Sequence, residues 1–269
     1  MSKTEPIDKS SSLLHSLHIQ LRVIGALLLR EAITRYGRDG LGTIWIFLEP
    51  MLFTLGVTLL WYTVKADSFT SMPVIPFVVT GYSTVLLWRN ATNRCCKAIE
   101  PNLSLMYHRN VKVIDVFLAR VILEWVGGTS SFTLLSLFFM LAGVMSMPKD
   151  LALVVGGWVL LAWFSLALGF IVGVISEHSD TFDRIWHVCT YLLFPLSGAM
   201  FMVHWLPAGF QKVIVWFPMV HGVEMIRHGF FGNMVPTYER PLYFAFVNLV
   251  LTLIGFALVR DVGRKVQPE

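Results

Sequence analysis

The sequence predicts an all-α integral membrane protein. It comprises six transmembrane helices, an N-terminal amphipathic interface helix, and re-entrant outer helices between spans five and six. Three observations predict it. Charged residues make up 14% of the chain and apolar ones 55%, where soluble domains carry about 25% charged. Mean hydropathy is +0.66, and the long apolar runs leave no stretch for a soluble domain. Lys and Arg are unevenly spread: fifteen of the 21 fall in residues 1–43, 89–114, 176–187 and 260–269, and five in the pieces between the other span ends. Basic loops stay cytoplasmic, so both termini are assigned to the cytoplasm. The net charge of +4 is then a positive-inside excess, not a nucleic-acid footprint.

Residues 1–12 are polar and read as a disordered N-terminus with no cleavable signal. Over 13–36, Leu13, Leu17, Leu21, Ile24 and Leu28 recur at helical spacing, which predicts an amphipathic helix. Arg22, Arg30, Glu31 and Arg35 punctuate it, so it lies on the interface, with its arginines toward anionic headgroups. Ser10–Ser12 offer caps, and Gly37, Gly40 and Gly42 an end. Span one is expected at about 44–64, with Pro50 kinking it or marking its true start. Span two is expected at about 73–88, begun by Pro73 and Pro76. Residues 89–114 form a basic island, too short and charged for a domain, which reads as a cytoplasmic contact surface for a separate soluble protein.

Span three is expected at about 116–141 and span four at about 151–175, where Gly156, Gly157, Gly169 and Gly173 allow close helix approach. A short polar link, 176–184, leads to span five at about 185–203. Trp205–Arg240 holds apolar pieces too short to cross, broken by Pro218 and Gly222, and reads as re-entrant or interfacial. Span six is expected at about 242–259, followed by a basic tail at 261–269.

The chain has no phosphate-binding GxxxxGK[ST], HExxH or GxSxG, so no ATPase, zinc-protease or serine-hydrolase chemistry is assigned to it. Cys95, Cys96 and Cys189 show no CxxC spacing, and no Cys/His cluster has metal spacing. The pairs His15/His18 and His221/His228 read as interfacial. No catalytic residue, metal or bound cofactor is expected. Ionisable groups at membrane depth cost about 2.5–3.5 kcal/mol at a helix centre unless paired. Arg120 and Glu124, one turn apart, read as a structural pair. Glu49 is expected beside Arg35 or Arg38, and Glu224 and Arg227 are expected to pin the outer segment to itself. Nine tryptophans belong mainly to interfacial belts. A minority of rings are candidates for lining a path, because rings grip sugar C–H faces without fixed hydrogen bonds. These are Phe47, Phe53, Trp61 and Tyr62 in span one, and Tyr191, Phe194 and Phe201 in span five. Belt and path stay open on the residues alone.

The run LLLREAITRYGRDGLGTIWIFLEP (27–50), PFVVTGY (76–82), LMYHRNVKVIDVFLAR (105–120) and PLSGAMFMVHWLP…WFPMVHGVEMIRHGFFG (195–232) together resemble the membrane subunit of capsular-polysaccharide ABC exporters, an ABC-2 type permease. The resemblance runs in order over nearly the whole chain. It implies a homodimer working with two copies of a separate ATPase subunit, which carries the ATP and Mg. It also implies export of a lipid-linked capsule polymer across the inner membrane of Gram-negative bacteria, with a periplasmic adaptor and an outer-membrane channel beyond. The segment around 102–110 is similar to the family's coupling helix, which makes Leu105, Met106, Tyr107, His108 and Arg109 the expected ATPase contacts. Residues 13–36 look like the interface helix feeding substrate toward span one. Residues 205–232 resemble the outer gate, with Trp205, Trp216, Glu224 and Arg227. An exporter of another glycan, such as O-antigen or teichoic acid, is the nearest alternative; a transferase acting on lipid-linked sugars or a scaffold is a more distant one.

Overall fold

The computed structural model describes residues 9–37, 42–64, 72–106, 111–234 and 236–266. Every regular element among them is helical: α1 (Lys9–Tyr36), α2 (Trp45–Thr63), α3 (Val74–Cys95), α4 (Leu103–Met106), α5 (Val113–Leu141), α6 (Leu151–His178), α7 (Asp180–Leu196), α8 (Ala208–Ile214), α9 (Pro218–Phe231) and α10 (Pro241–Val266). Four of them, α2, α5, α6 and the stretch Pro241–Lys265 of α10, are long and apolar enough to cross a membrane. The helix α3 ends in a polar turn with Arg89 and Arg94, and α7 has 17 residues and opens with Asp180 and Asp183.

The centre of the molecule is α6, packed against α3, α9 and α10. Close approach explains its small residues. A Cβ on Gly157 would stand 2.9 Å from the Gly222 carbonyl of α9, and one on Gly173 would stand 2.4 Å from the Phe117 ring of α5. Among the membrane-length helices, burial of the most apolar stretch falls from 56% in α6 through 39% in α5 and 22% in α10 to 11% in α2.

Several boundaries differ from the sequence expectation, each for a local reason. The helix α3 runs on to Cys95, because Ala91, Thr92 and Cys95 are buried; Cys95 meets α6 where a Cβ on Gly169 would touch its sulfur at 2.8 Å. The basic island therefore begins inside a helix, and Ala98, Ile99 and Met106 are buried too. Pro50 sits inside α2, not at its start. The proline ring takes away the donor that the Ile46 carbonyl would use, and that carbonyl faces α5 where a Gly127 Cβ would lie 2.5 Å away. The link after α6 shrinks to Ser179, whose Oγ accepts the Phe182 N–H at 3.2 Å as an N-cap. Pro195 and Gly198, at φ +86°, end α7 at Leu196 rather than near 203. Gly222 does not break α9, which begins at Pro218 in the N1 position.

Of the predicted stripe on α1, Leu28 is half-buried and packs against the core. Leu17 and Leu21 are exposed, and it is Leu27 and Ala32 that are buried against α5 and its neighbours. Helix α1 ends as expected at Gly37, with φ +83°.

Candidate functional site

Three carboxylates and three guanidinium groups meet where α1, α2, α3 and α5 converge. Glu124 of α5, its side chain 9% exposed, accepts from Arg35 of α1, and from Arg94 of α3 at 3.0 Å. Arg35 also reaches Glu49 of α2 at 3.4 Å. Arg120 pairs with Glu31 of α1 at 3.4 Å and donates to the Arg94 carbonyl at 3.0 Å. The expected Arg120–Glu124 pair is thus replaced. One helical turn brings the two side chains within reach, but each finds a partner on α1, where packing removes both from water. Glu49 lies beside Arg35 as expected. With equal numbers of each sign, the cluster carries no uncompensated charge, the condition under which buried ions persist. Beside it, burial pushes the Tyr36 phenol up to about 12, with Arg35 acting in the opposite direction.

The same helix α1 holds the following cytoplasmic segment. Arg30 donates to Asn102 Oδ1 at 2.7 Å, and Asn102 Nδ2 donates to the Ala98 carbonyl at 2.8 Å. Asn102 is buried at the start of α4. Of the expected contact residues, Leu105 is half-buried and Met106 is buried in the chain's own core, so Met106 packs inward and offers no outer surface. Tyr107, His108 and Arg109 lie outside the described residues. Arg22 is exposed on α1.

The path candidates divide into those that meet other rings and those that do not. Phe53 of α2 and Phe194 of α7 approach Tyr82 of α3 from two sides, with ring centroids 6.4 and 5.3 Å away. The Arg89 guanidinium lies over Phe194 at 5.6 Å. Trp61 and Trp205 both approach Phe77, at 6.2 and 5.2 Å. The Phe53 and Phe194 rings thus gather at Tyr82 and the Trp61 and Trp205 rings at Phe77, two positions five residues apart on α3. Tyr62 and Tyr191 project outward, 60% and 72% exposed. Phe47 is half-buried, and Phe201 packs with Val203 and Ile214 in a separate small cluster.

At the opposite end Arg227 of α9 is fully buried. It donates to the carbonyls of Gly198, Ala199 and Phe201, each at 2.6 Å, and lies 3.9 Å from the centroid of the Phe77 ring. Glu224 accepts the backbone N–H of Val203 at 3.2 Å and of Tyr238 at 3.1 Å. The two residues therefore do not pin α9 to itself. Backbone groups left open by the broken α7–α8 and α9–α10 connections need charged partners more than the side chains need each other. Trp216 is exposed, and its carbonyl accepts the Tyr243 hydroxyl at 3.0 Å.

Residues 22–231 match the ABC-2 type transporter family. The chain belongs to that family of membrane transport subunits. Curated relatives align along nearly its whole length. It is 42% identical over 254 residues to the capsule polysaccharide export inner-membrane protein BexB of Haemophilus influenzae, covering 94% of this chain and 96% of that one. It is 43% identical over 259 residues to the capsule polysaccharide export inner-membrane protein CtrC of Neisseria meningitidis serogroup B, covering 96% and 98%. With the polysialic acid transport protein KpsM of Escherichia coli it shares 33% identity over 250 residues, covering 90% and 94%.

Within this ABC-2 chain, sequence reasoning missed Arg94 and Glu31 as network members, Asn102 as the tie to α1, and Tyr82 and Phe77 as the rings around which the others gather. Arg94 and Asn102 lay inside the basic island, but reading that island as an outward contact surface gave them no partner within the chain. Tyr82 stood in a span with no charged neighbour to draw attention to it.

Proposed function

We propose that this chain is the transmembrane permease subunit of an ATP-driven exporter that moves lipid-linked capsular polysaccharide from the cytoplasm across a bacterial inner membrane. The carrying observation is its end-to-end correspondence with relatives named for capsule polysaccharide export. In this reading α2, α3, α5, α6, α7 and α10 are the six spans, α1 is the interface helix, and α8 and α9 are the re-entrant outer gate, with both termini cytoplasmic. The permease is a homodimer joined to two ATPase subunits that hold ATP and Mg. A periplasmic adaptor and an outer-membrane channel continue the route.

The positions of the carboxylates favour transport over transferase chemistry. Glu124 is engaged by two arginines and Glu224 by two backbone amides, so neither is free to act as a general base. ATP binding draws the ATPase subunits together, segment 102–110 receives the motion, and the Arg30–Asn102 bond passes it to α1. The path then opens along the Phe53, Phe194 and Trp61 rings. A population shift of this kind requires the two states to differ in their contacts with ATP.

The test is co-purification in lipid nanodiscs with a candidate ATPase subunit that carries a phosphate-binding loop, comparing wild type with a Tyr107→Ala, Arg109→Ala double variant. Retained ATPase and capsule export in the wild type, both lost in an inserted double variant, is the expected result. An ATPase that binds neither protein refutes the exporter reading. Normal export by the variant refutes the coupling assignment.

A further inference from the structure

Cys96, at the end of α3, lies against Asp183 and His187 of α7, and one ligand atom from each falls within 4.8 Å of the others. We propose that these three side chains form a site for a borderline divalent cation of the zinc type, with water as the fourth ligand. Thiolate, imidazole and carboxylate are the donors zinc prefers, in a tetrahedral set that three protein groups and a water complete.

The geometry is close to what such a centre needs. Zinc–ligand bonds of about 2.0–2.3 Å at tetrahedral angles put donor atoms roughly 3.3–3.7 Å apart. His187 Nε2 and Asp183 Oδ1 are 3.8 Å apart and no donor pair is separated by more than 4.8 Å, so side-chain adjustments of up to about 1 Å close the set. Asp183 Oδ1 is buried and faces the His187 ring, and the Cys96 thiol lies against the same carboxylate, so one cation would engage all three groups. Asp183 and His187 stand one turn apart on α7, so the helix aligns two donors and the end of α3 delivers the third.

The backbone beside the thiol is also out of the ordinary. Lys97, the next residue, takes φ +48°, a conformation non-glycine residues rarely adopt and one that clusters at functional positions. It is held there by its own N–H bond to Ser176 Oγ at 3.1 Å and by the Lys97–Asp180 ion pair. On coordination the Cys96 thiol loses its proton outright. The zinc–sulfur bond forms as that proton leaves to water. The bound ion would staple the end of α3 to the first turns of α7, next to segment 97–106. The donors come from two distant stretches of sequence, which is why a search for local Cys/His spacing finds no site.

The test uses the full chain purified in detergent, equilibrated with zinc and desalted, with bound metal measured by mass spectrometry. Cobalt substitution reports thiolate ligation through its charge-transfer absorption. One ion per chain is expected, with a sulfur-to-cobalt band. Cys96→Ser and His187→Gln should each weaken binding by more than the ~10–100-fold that loss of an outer-shell partner costs, while Cys189→Ser binds as wild type does. Should the variants fold poorly, alkylation of the wild type decides: zinc must slow the modification of Cys96 and leave that of Cys189 unchanged. Wild type holding no more zinc than Cys96→Ser, or zinc giving Cys96 no protection, overturns the site.

Discussion

Glu124→Gln keeps the shape of the side chain and removes the charge that Arg35 and Arg94 share. Hydrogen bonds to charged groups contribute about 1.5–3 kcal/mol each when shielded from water. The Arg35 side chain is 17% exposed and that of Arg94 43%, so the first bond counts on that scale. The second is screened to under about 1 kcal/mol. The expected loss is therefore about 2–4 kcal/mol. It is to be read as a shift in the mixed-micelle unfolding midpoint followed by tryptophan fluorescence. Double-mutant cycles make the result specific. Coupling between Arg35→Met and Glu124→Gln should reach about 2 kcal/mol, and coupling between Arg120→Met and Glu124→Gln should stay near or below about 1 kcal/mol. A larger coupling for the 120/124 cycle than for 35/124 would restore the pair within one helix and refute the pairing of Glu124 with Arg35 of α1.

Two further outcomes follow from the packing. Arg30→Ala should cost no more than about 1.5–3 kcal/mol, yet it should raise amide hydrogen exchange across 98–106 while leaving α6 protected, because its guanidinium ties α1 to Asn102; unchanged exchange there would mean the bond holds nothing. Gly81→Ala would put a methyl 2.4 Å from the Ala199 carbonyl and 2.5 Å from Arg227 Nη2, and overpacking of this kind costs about 1–3 kcal/mol or more. Gly25→Ala, with nothing within 4 Å, is the control and should be neutral or stabilising by about 0.5–1 kcal/mol in the same thermal unfolding assay.

Helix positions were largely legible in the sequence, and partners were not, for a physical reason. Length, proline and glycine act locally: Gly37 and Pro218 mark helix ends whatever surrounds them. Apolarity is weaker evidence in a chain of this kind. Lipid is as apolar as leucine, so burial gives no preference for one apolar face over another. On α1, Leu17 and Leu21 of the stripe accordingly stay exposed and Leu28 is half-buried, while Leu27 and Ala32 are buried. For charges the failure was of another sort. Spacing says which groups can meet, whereas desolvation decides which do, and Glu124 goes to the arginines that α1 and α3 bury with it. Cys96 shows the limit of local motifs, since Asp183 and His187 approach it only after α3 and α7 have packed.

The two polar anchors differ in kind, and the difference bears on what can move. Arg227 holds the carbonyls of Gly198, Ala199 and Phe201 and, at 3.4 Å, that of Phe77 on α3, so α9, the turn after α7 and α3 are tied to move together. The Glu31, Glu49 and Glu124 network joins side chains to side chains. Arg35 already divides itself between Glu49 and Glu124, so a shift of α1 or α2 exchanges partners without stranding a charge. Helix α2 is also the least buried of the four membrane-length helices, and its Phe53 and Trp61 rings meet α3 at tilted angles, contacts that tolerate sliding better than interdigitated aliphatic packing. In the proposed exporter, opening is therefore a displacement of α1 and α2 against a body of α3, α6 and α9 that stays intact, with the arginines changing partners as the helices pass.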